Sequence, residues 1–207
     1  MLRIAIRVAA LMMFTTAAQA GPLGTYYLTD ETNFTANNST LDAIRGNVYV
    51  QNASIYQGQE GPVAIVGGAV RTTGYYLGNG GGEYITAPDL NVSPSGNTWT
   101  NDLTGVVGHP VDAFFDGTSD GTYNYTLNYY TGDVIRTDLN WGGPGTVLFN
   151  VGAIHFGITY DRWHDTLWIQ HYDTGDISEY SMTGTLLGTF STPDGTADPV
   201  YGSTALA

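Results

Sequence analysis

Two stretches of this chain, residues 111–151 and 156–193, carry one pattern, and that pattern leaves few folds open. The later copy contains "HFGITY", "TLWIQHY", "ISEYSM" and "LLGTFS", short runs that alternate or stay apolar and then stop at Asp, Thr or Gly. Runs of that length with that punctuation read as β-strands. The turns between them, "YDTGD" at 172–176 and "MTGT" at 182–185, supply the positive φ and the side-chain caps that tight hairpins need. The result is a meander of four antiparallel strands. Sliding it back along the chain lays Asp116 on Asp161 and Asp120 on Asp165, 45 residues apart, and Asp133 on Asp176, 43 apart. A four-stranded unit repeating at about 40 to 45 residues is the signature of propeller blades. One such sheet cannot bury both of its faces, so blades stack side by side around an axis.

Nothing after the first twenty residues sustains a helical apolar period over three turns, and the 28 glycines and 15 tyrosines among 207 residues favour turns and strands. The expected fold is all-β, a β-propeller-like array of four-stranded antiparallel blades. Upstream of residue 111 the spacing loosens. "GTYYLTD", "DAIRGNVYVQ" and "PVAIVGGAVRTTGYYL" read as strands, whereas "GNGGGEYI" and "APDLNVSPSGNTWTNDL" read as long outer loops of degenerate blades. The alternative is a separate small β-domain.

Residues 1–20, "MLRIAIRVAALMMFTTAAQA", combine two early arginines, a short apolar run and an Ala-Gln-Ala end, the pattern of a secretory signal peptide. The run is too short to span a bilayer. Its removal leaves 187 residues (207 less 20), read as one β-propeller-like domain over 21–207, with four arginines, no lysine and 19 acids. A surface of that sign repels phosphate backbones and anionic lipid, so neither nucleic acid nor membrane insertion is expected. Cysteine is absent, which excludes thiol catalysis and zinc–thiolate sites.

"VYGSTALA" at 200–207 resembles the first-strand entrances "GHPVDAFF" and "IHFGITYD", so it is read as the start of a cut-off blade in a longer protein, and the array as incomplete. Taken with the leader, the segments "VRTTGY", "GEYI", "DGTSDGTYNY", "TDLNW" and "GITYDRWHDTLWI" resemble exported bacterial proteins of the PEP-CTERM sorting class whose bodies are similar to NHL and YVTN propeller repeats. The resemblance implies export and an involvement with surface polymer. The Pro-Glu-Pro sorting tail is not in the sequence, so anchoring is implied by that likeness alone.

Several residues are candidates for chemistry. "DGTSDGT" places Asp116 and Asp120 in a glycine turn that offers oxygen ligands to calcium. The full calcium-loop pattern is not met, so capping of hairpin amides is the preferred role. His109 and His155 precede Asp116 and Asp161 by seven and six residues, where first strands enter a blade, and they would meet a metal or a proton near a central axis. The third entrance has Tyr201 instead, which favours solvated loop histidines. His164 and His171 are more than about 20 Å apart on an extended strand and cannot share an ion. Trp99, Trp141, Trp163 and Trp168 fit packing between blades. Trp163, between Arg162 and His164 in a turn, is the one expected to be partly exposed, which makes Trp163 and His164 the ligand-binding candidates.

No nucleophile elbow, zinc-protease helix or phosphate loop occurs. The reading is an exported, non-enzymatic binding or scaffolding protein of the cell surface or extracellular matrix, with polysaccharide as its partner and calcium as the one ion its acidity suits. The alternatives are a propeller-type metal-dependent hydrolase or lyase using His109 or His155, and a calcium-stabilised structural module.

Overall fold

The computed structural model describes residues 24–30, 40–51, 60–76, 80–101, 103 and 113–191. The leader at 1–20, His109 and the segment 200–207 lie outside them. The described residues are all-β, fifteen strands in four antiparallel sheets. Blade 1 contains β1 (Tyr26–Asp30), β2 (Thr40–Arg45) and β3 (Val48–Val50). Blade 2 contains β4 (Glu60–Val66), β5 (Ala69–Gly74), β6 (Gly80–Thr86) and β7 (Val92–Thr100). Blade 3 contains β8 (Gly117–Ser119), β9 (Asn124–Leu127), β10 (Asp133–Thr137) and β11 (Thr146–Asn150). Blade 4 contains β12 (His155–Asp161), β13 (Thr166–His171), β14 (Ile177–Ser181) and β15 (Leu186–Phe190). In every sheet, strands that follow one another in sequence are hydrogen-bonded neighbours, as a propeller meander requires. No described helix is long and apolar enough to cross a membrane.

The first strands β1, β4, β8 and β12 stand side by side in that order. Each is an edge of its own sheet, with backbone groups that no strand within the sheet satisfies. Side chains of the preceding blade supply partners. Thr29 Oγ1 donates to the carbonyl of Gly61 at 2.8 Å. The amides of Ile158 and Tyr160 donate to Asp116 Oδ2 at 2.8 Å and Thr118 Oγ1 at 3.1 Å. Between these contacts lie the apolar layers. Tyr27, Leu41 and Ala43 of blade 1 meet Val63, Val70, Tyr84 and Val92 of blade 2. Tyr125, Leu127 and Val134 of blade 3 meet Ile158, Leu167 and Ile169 of blade 4. Leu103, Phe114 and Ile135 form a smaller layer between blades 2 and 3. A cluster of rings ties blades 2, 3 and 4 together: Tyr75, Phe115 and Tyr129 meet edge-on in turn, and Tyr129 stands edge-on to Phe156 and Tyr172, which stack on each other. Every strand position of β9, which packs against β12 of blade 4, is buried, while β15 at the far edge of its sheet is mostly exposed.

Two expectations are corrected here. The stretches read as outer loops are the strands β6 and β7 of blade 2. Strand β6 carries glycine because it runs against β5 so closely that a Cβ on Gly81 would lie 2.3 Å from the Thr72 carbonyl oxygen. Strand β7 reads as polar because it is an outer strand with little to bury. The second correction concerns alignment. The Asp116 carboxylate meets Ile158, 42 residues on, and Ser119 pairs with Asn124 as Asp161 pairs with Thr166. The structural counterpart of Asp116 is therefore Ile158, not Asp161. The "TGD" turns do correspond as expected: Gly132 donates to Asn128 O at 2.7 Å and Gly175 to His171 O at 2.9 Å, both with positive φ.

Candidate functional site

The hairpin joining β12 to β13 brings together the exposed polar and aromatic groups of blade 4. Asp161 closes β12 opposite Thr166, and residues 162–165 make the turn. Asp161 Oδ1 accepts the Trp163 amide at 2.8 Å, an Asx turn that fixes the carboxylate. Asp165 has φ 55°, a left-handed conformation that Asp tolerates better than most residues. The turn returns His164 over Asp161, with Nδ1 2.7 Å from Oδ2. The imidazole beside it, with the Trp163 amide, holds the Asp161 carboxyl below its usual range, and the carboxylate in turn raises the His164 pKa. Tyr160 donates its hydroxyl to Asp165 Oδ1 at 3.0 Å, and burial together with that carboxylate pushes the phenol up to about 12.

Glu179 reaches the same place from β14. It pairs with Trp168, in a row two residues along the strands from the Asp161–Thr166–Ser181 row, so its side chain shares a face with Asp161. Thr166 Oγ1 donates to Glu179 Oε1 at 2.9 Å. One ligand atom each from Asp161, His164 and Glu179 lie within 4.8 Å of one another, the one such group of three found among the described residues. Trp163 is 81% exposed, with the Arg162 guanidinium carbon 5.0 Å from its ring centroid. The arrangement offers a flat aromatic face, a cation over it and a cluster of hydrogen-bonding groups at its side.

The other candidates are placed differently. Asp116 is 1% exposed; Oδ1 accepts Gly117 N at 2.7 Å and Oδ2 accepts Ile158 N. Asp120 Oδ1 accepts the amides of Thr122 and Tyr123 at 2.6 and 2.7 Å, and its Oδ2 accepts the Tyr125 hydroxyl at 2.5 Å. Both carboxylates act as caps on donors of their own surroundings, and neither joins a three-donor group among the described residues. His155, expected as a solvated loop residue or a ligand at the axis, is 4% exposed. It pairs with His171 across β12 and β13, with ring centroids 4.2 Å apart. Its Nδ1 lies 2.9 Å from the Gly152 carbonyl, and its buried Nε2 has no hydrogen-bond partner among the described residues. From His171 a polar chain continues through Ser178 to Thr189. Of the tryptophans, Trp141 is fully buried, Trp99 donates to the Thr72 carbonyl and Trp168 packs on Phe190. Sequence reasoning missed Asp161 and Glu179 as members of the site, because only the pairing of β13 with β14 brings Glu179 to the hairpin.

The His155 pair carries a pH prediction. Burial, and then the neighbouring His171, lower the His155 pKa from 6.5 to about 4, opposed by backbone groups of Gly152 and Ala153 and then by Asp173. The unfolded chain therefore takes up a proton near pH 6.5 that the folded chain refuses until about pH 4. The stability contribution is complete above pH 6.5 and falls away towards pH 4, by about 3 kcal/mol at most. Urea denaturation across that range should show the His155→Phe variant losing less stability on acidification than the wild type. Parallel curves for the two would contradict it.

No protein-family model matches the chain, and no curated protein matches it in sequence. Solved structures do resemble it in shape. A nidogen–laminin complex contains a chain 16% identical, matched over 80% of this chain and 62% of its own, with a TM-score of 0.56. A Bacteroides thetaiotaomicron protein of unknown function is 9% identical over 81% of this chain and 44% of its own, TM-score 0.51. A Bacteroides uniformis protein provisionally assigned as a 6-phosphogluconolactonase is 13% identical over 87% of this chain and 57% of its own, TM-score 0.50. The chain thus spans between 44 and 62% of the length of these structures. At such identities the likeness is one of fold, the antiparallel blades of a β-propeller.

Proposed function

We propose that this chain is a non-enzymatic binding module that takes neutral polysaccharide on the β12–β13 hairpin, with Trp163 as the stacking face and Asp161, His164 and Glu179 as hydrogen-bonding partners at its edge. The observation that carries the reading is the exposure of Trp163, the most exposed large hydrophobic residue among those described. An indole kept in water lacks the burial that justifies its siblings Trp99, Trp141 and Trp168, whereas a sugar ring laid on it would bury apolar C–H and aromatic surface together. The leader and the resemblance to PEP-CTERM-class exported proteins support a place outside the cell, at the surface or in extracellular polymer. A binding role also accords with the buried groups. Asp116 and His155 are enclosed in the packing of blades 3 and 4.

Affinity electrophoresis through gels containing neutral polysaccharides tests this. Retardation is expected for the wild type, and Trp163→Ala should weaken it about tenfold, the equivalent of about 1.4 kcal/mol, without changing the melting temperature. Equal retardation of variant and wild type would overturn the assignment of the site.

A further inference from the structure

We propose that Asp161, His164 and Glu179 bind a divalent first-row transition-metal ion on the open face of blade 4. The three donors come from three positions that the sheet holds fixed: the end of β12, the turn after it and the middle of β14. Each ligand is oriented by another group. The Trp163 amide occupies Asp161 Oδ1 and leaves Oδ2 towards the cluster, and Thr166 holds Glu179 through Oε1. Such outer contacts aim the ligands at a metal and tune it.

The spacing suits a small ion. Nitrogen and oxygen ligands sit at about 2.0–2.2 Å from zinc, so two ligands of one ion are at most about 4.4 Å apart. The donor atoms here lie within 4.8 Å of one another, and a change of a few tenths of an ångström in the side chains closes the difference. Oδ2 and Nδ1 are already 2.7 Å apart, sharing a proton; on binding, that proton leaves to solvent and the ion bridges the two atoms.

An imidazole with two carboxylates selects against calcium and magnesium, which take all-oxygen shells, and for zinc, manganese or nickel. Three protein ligands leave coordination positions open, and the 71% exposure of the His164 side chain places those positions towards solvent. Blade 3 provides an internal contrast. Its corresponding hairpin uses the Asp120 carboxylate on two amides and the Tyr125 hydroxyl and has no histidine, so the cluster is not repeated in blade 3. The inference goes beyond the sugar-binding reading and uses the same three polar side chains; it is tested without a sugar, so its failure is distinct from a failure of sugar to stack on Trp163.

The experiment titrates the full chain with zinc chloride by calorimetry at neutral pH, and follows the His164 imidazole by long-range proton–nitrogen NMR. One zinc per chain is expected, with His164 Nδ1 the resonance that moves. Glu179→Gln, which keeps the length of the side chain, and His164→Ala should each lower the affinity at least tenfold while leaving the melting temperature in the absence of metal unchanged. A millimolar excess of calcium should not compete. Zinc binding that survives both substitutions, or that moves His155 or His171 in place of His164, overturns the site, as does an absence of binding at millimolar zinc.

Discussion

Replacing Asp116 by alanine is expected to cost about 2–4 kcal/mol of stability. The carboxylate reaches from the inner edge of blade 3 to the amide of Ile158 in blade 4 and also accepts its own neighbour's amide, Gly117 N, so truncation leaves two buried N–H groups unsatisfied. Water cannot easily replace it, because the residue is 1% exposed. Asp116→Asn should fall between, since an amide oxygen still accepts one of the two bonds. Urea denaturation monitored by far-ultraviolet circular dichroism gives the difference. Calcium should neither raise the wild-type midpoint through this residue nor rescue the variant, because the carboxylate serves as a tie between blades. A variant as stable as the wild type would mean that the inner strands β8 and β12 are not joined in this way.

The Gly132→Ala substitution should be at least as damaging, about 3–5 kcal/mol from two sources. At φ 76° a side chain pays a left-handed penalty. A Cβ there would also lie 1.7 Å from the carbonyl oxygen of Gly152, on the backbone of the loop between β11 and β12. Backbone cannot move aside as a side-chain tip can, and that loop is tied to the turn by the Val151 amide donating to Gly132 O at 2.9 Å. At about 2–4 °C per kcal/mol for a chain of this size, the melting temperature should fall by roughly 10 °C. A fall of only 1–2 °C would contradict the close approach of the two turns.

The parts of this fold that were legible in the sequence are those where a strand has one face to bury and a turn with a required backbone shape at each end. "TLWIQHY" satisfies both and becomes β13; the "TGD" turns demand positive φ at Gly132 and Gly175 and take it. Strands β6 and β7 were illegible because neither condition holds: one is built of glycine to fit beneath Thr72, the other faces solvent along most of its length. The matching aspartates misled for a related reason. From the hairpin to the "TGD" turn, Thr166 to His171 is one residue longer than Asn124 to Asn128, so the offset between blades drifts from 42 to 43, and the letters that look alike at 45 are not equivalent in space. Trp163 and His164 could be picked out because an aromatic and an imidazole in a four-residue turn have no core to fill. Asp161 and Glu179 belong to the same site through strand pairing, which no local motif encodes. His155 was misplaced because its burial comes from lying opposite His171, a partner sixteen residues away.

The most direct measurement is a titration of the protein, labelled with nitrogen-15 at its tryptophan indoles, with soluble fragments of neutral polysaccharides. Four indole signals are available, from Trp99, Trp141, Trp163 and Trp168. The expected result is a saturable shift of the Trp163 signal, with the buried Trp141 signal unmoved. A saturable shift of Trp99, Trp141 or Trp168 with Trp163 silent, or no shift with any fragment, would contradict the placement of the binding site on the β12–β13 hairpin.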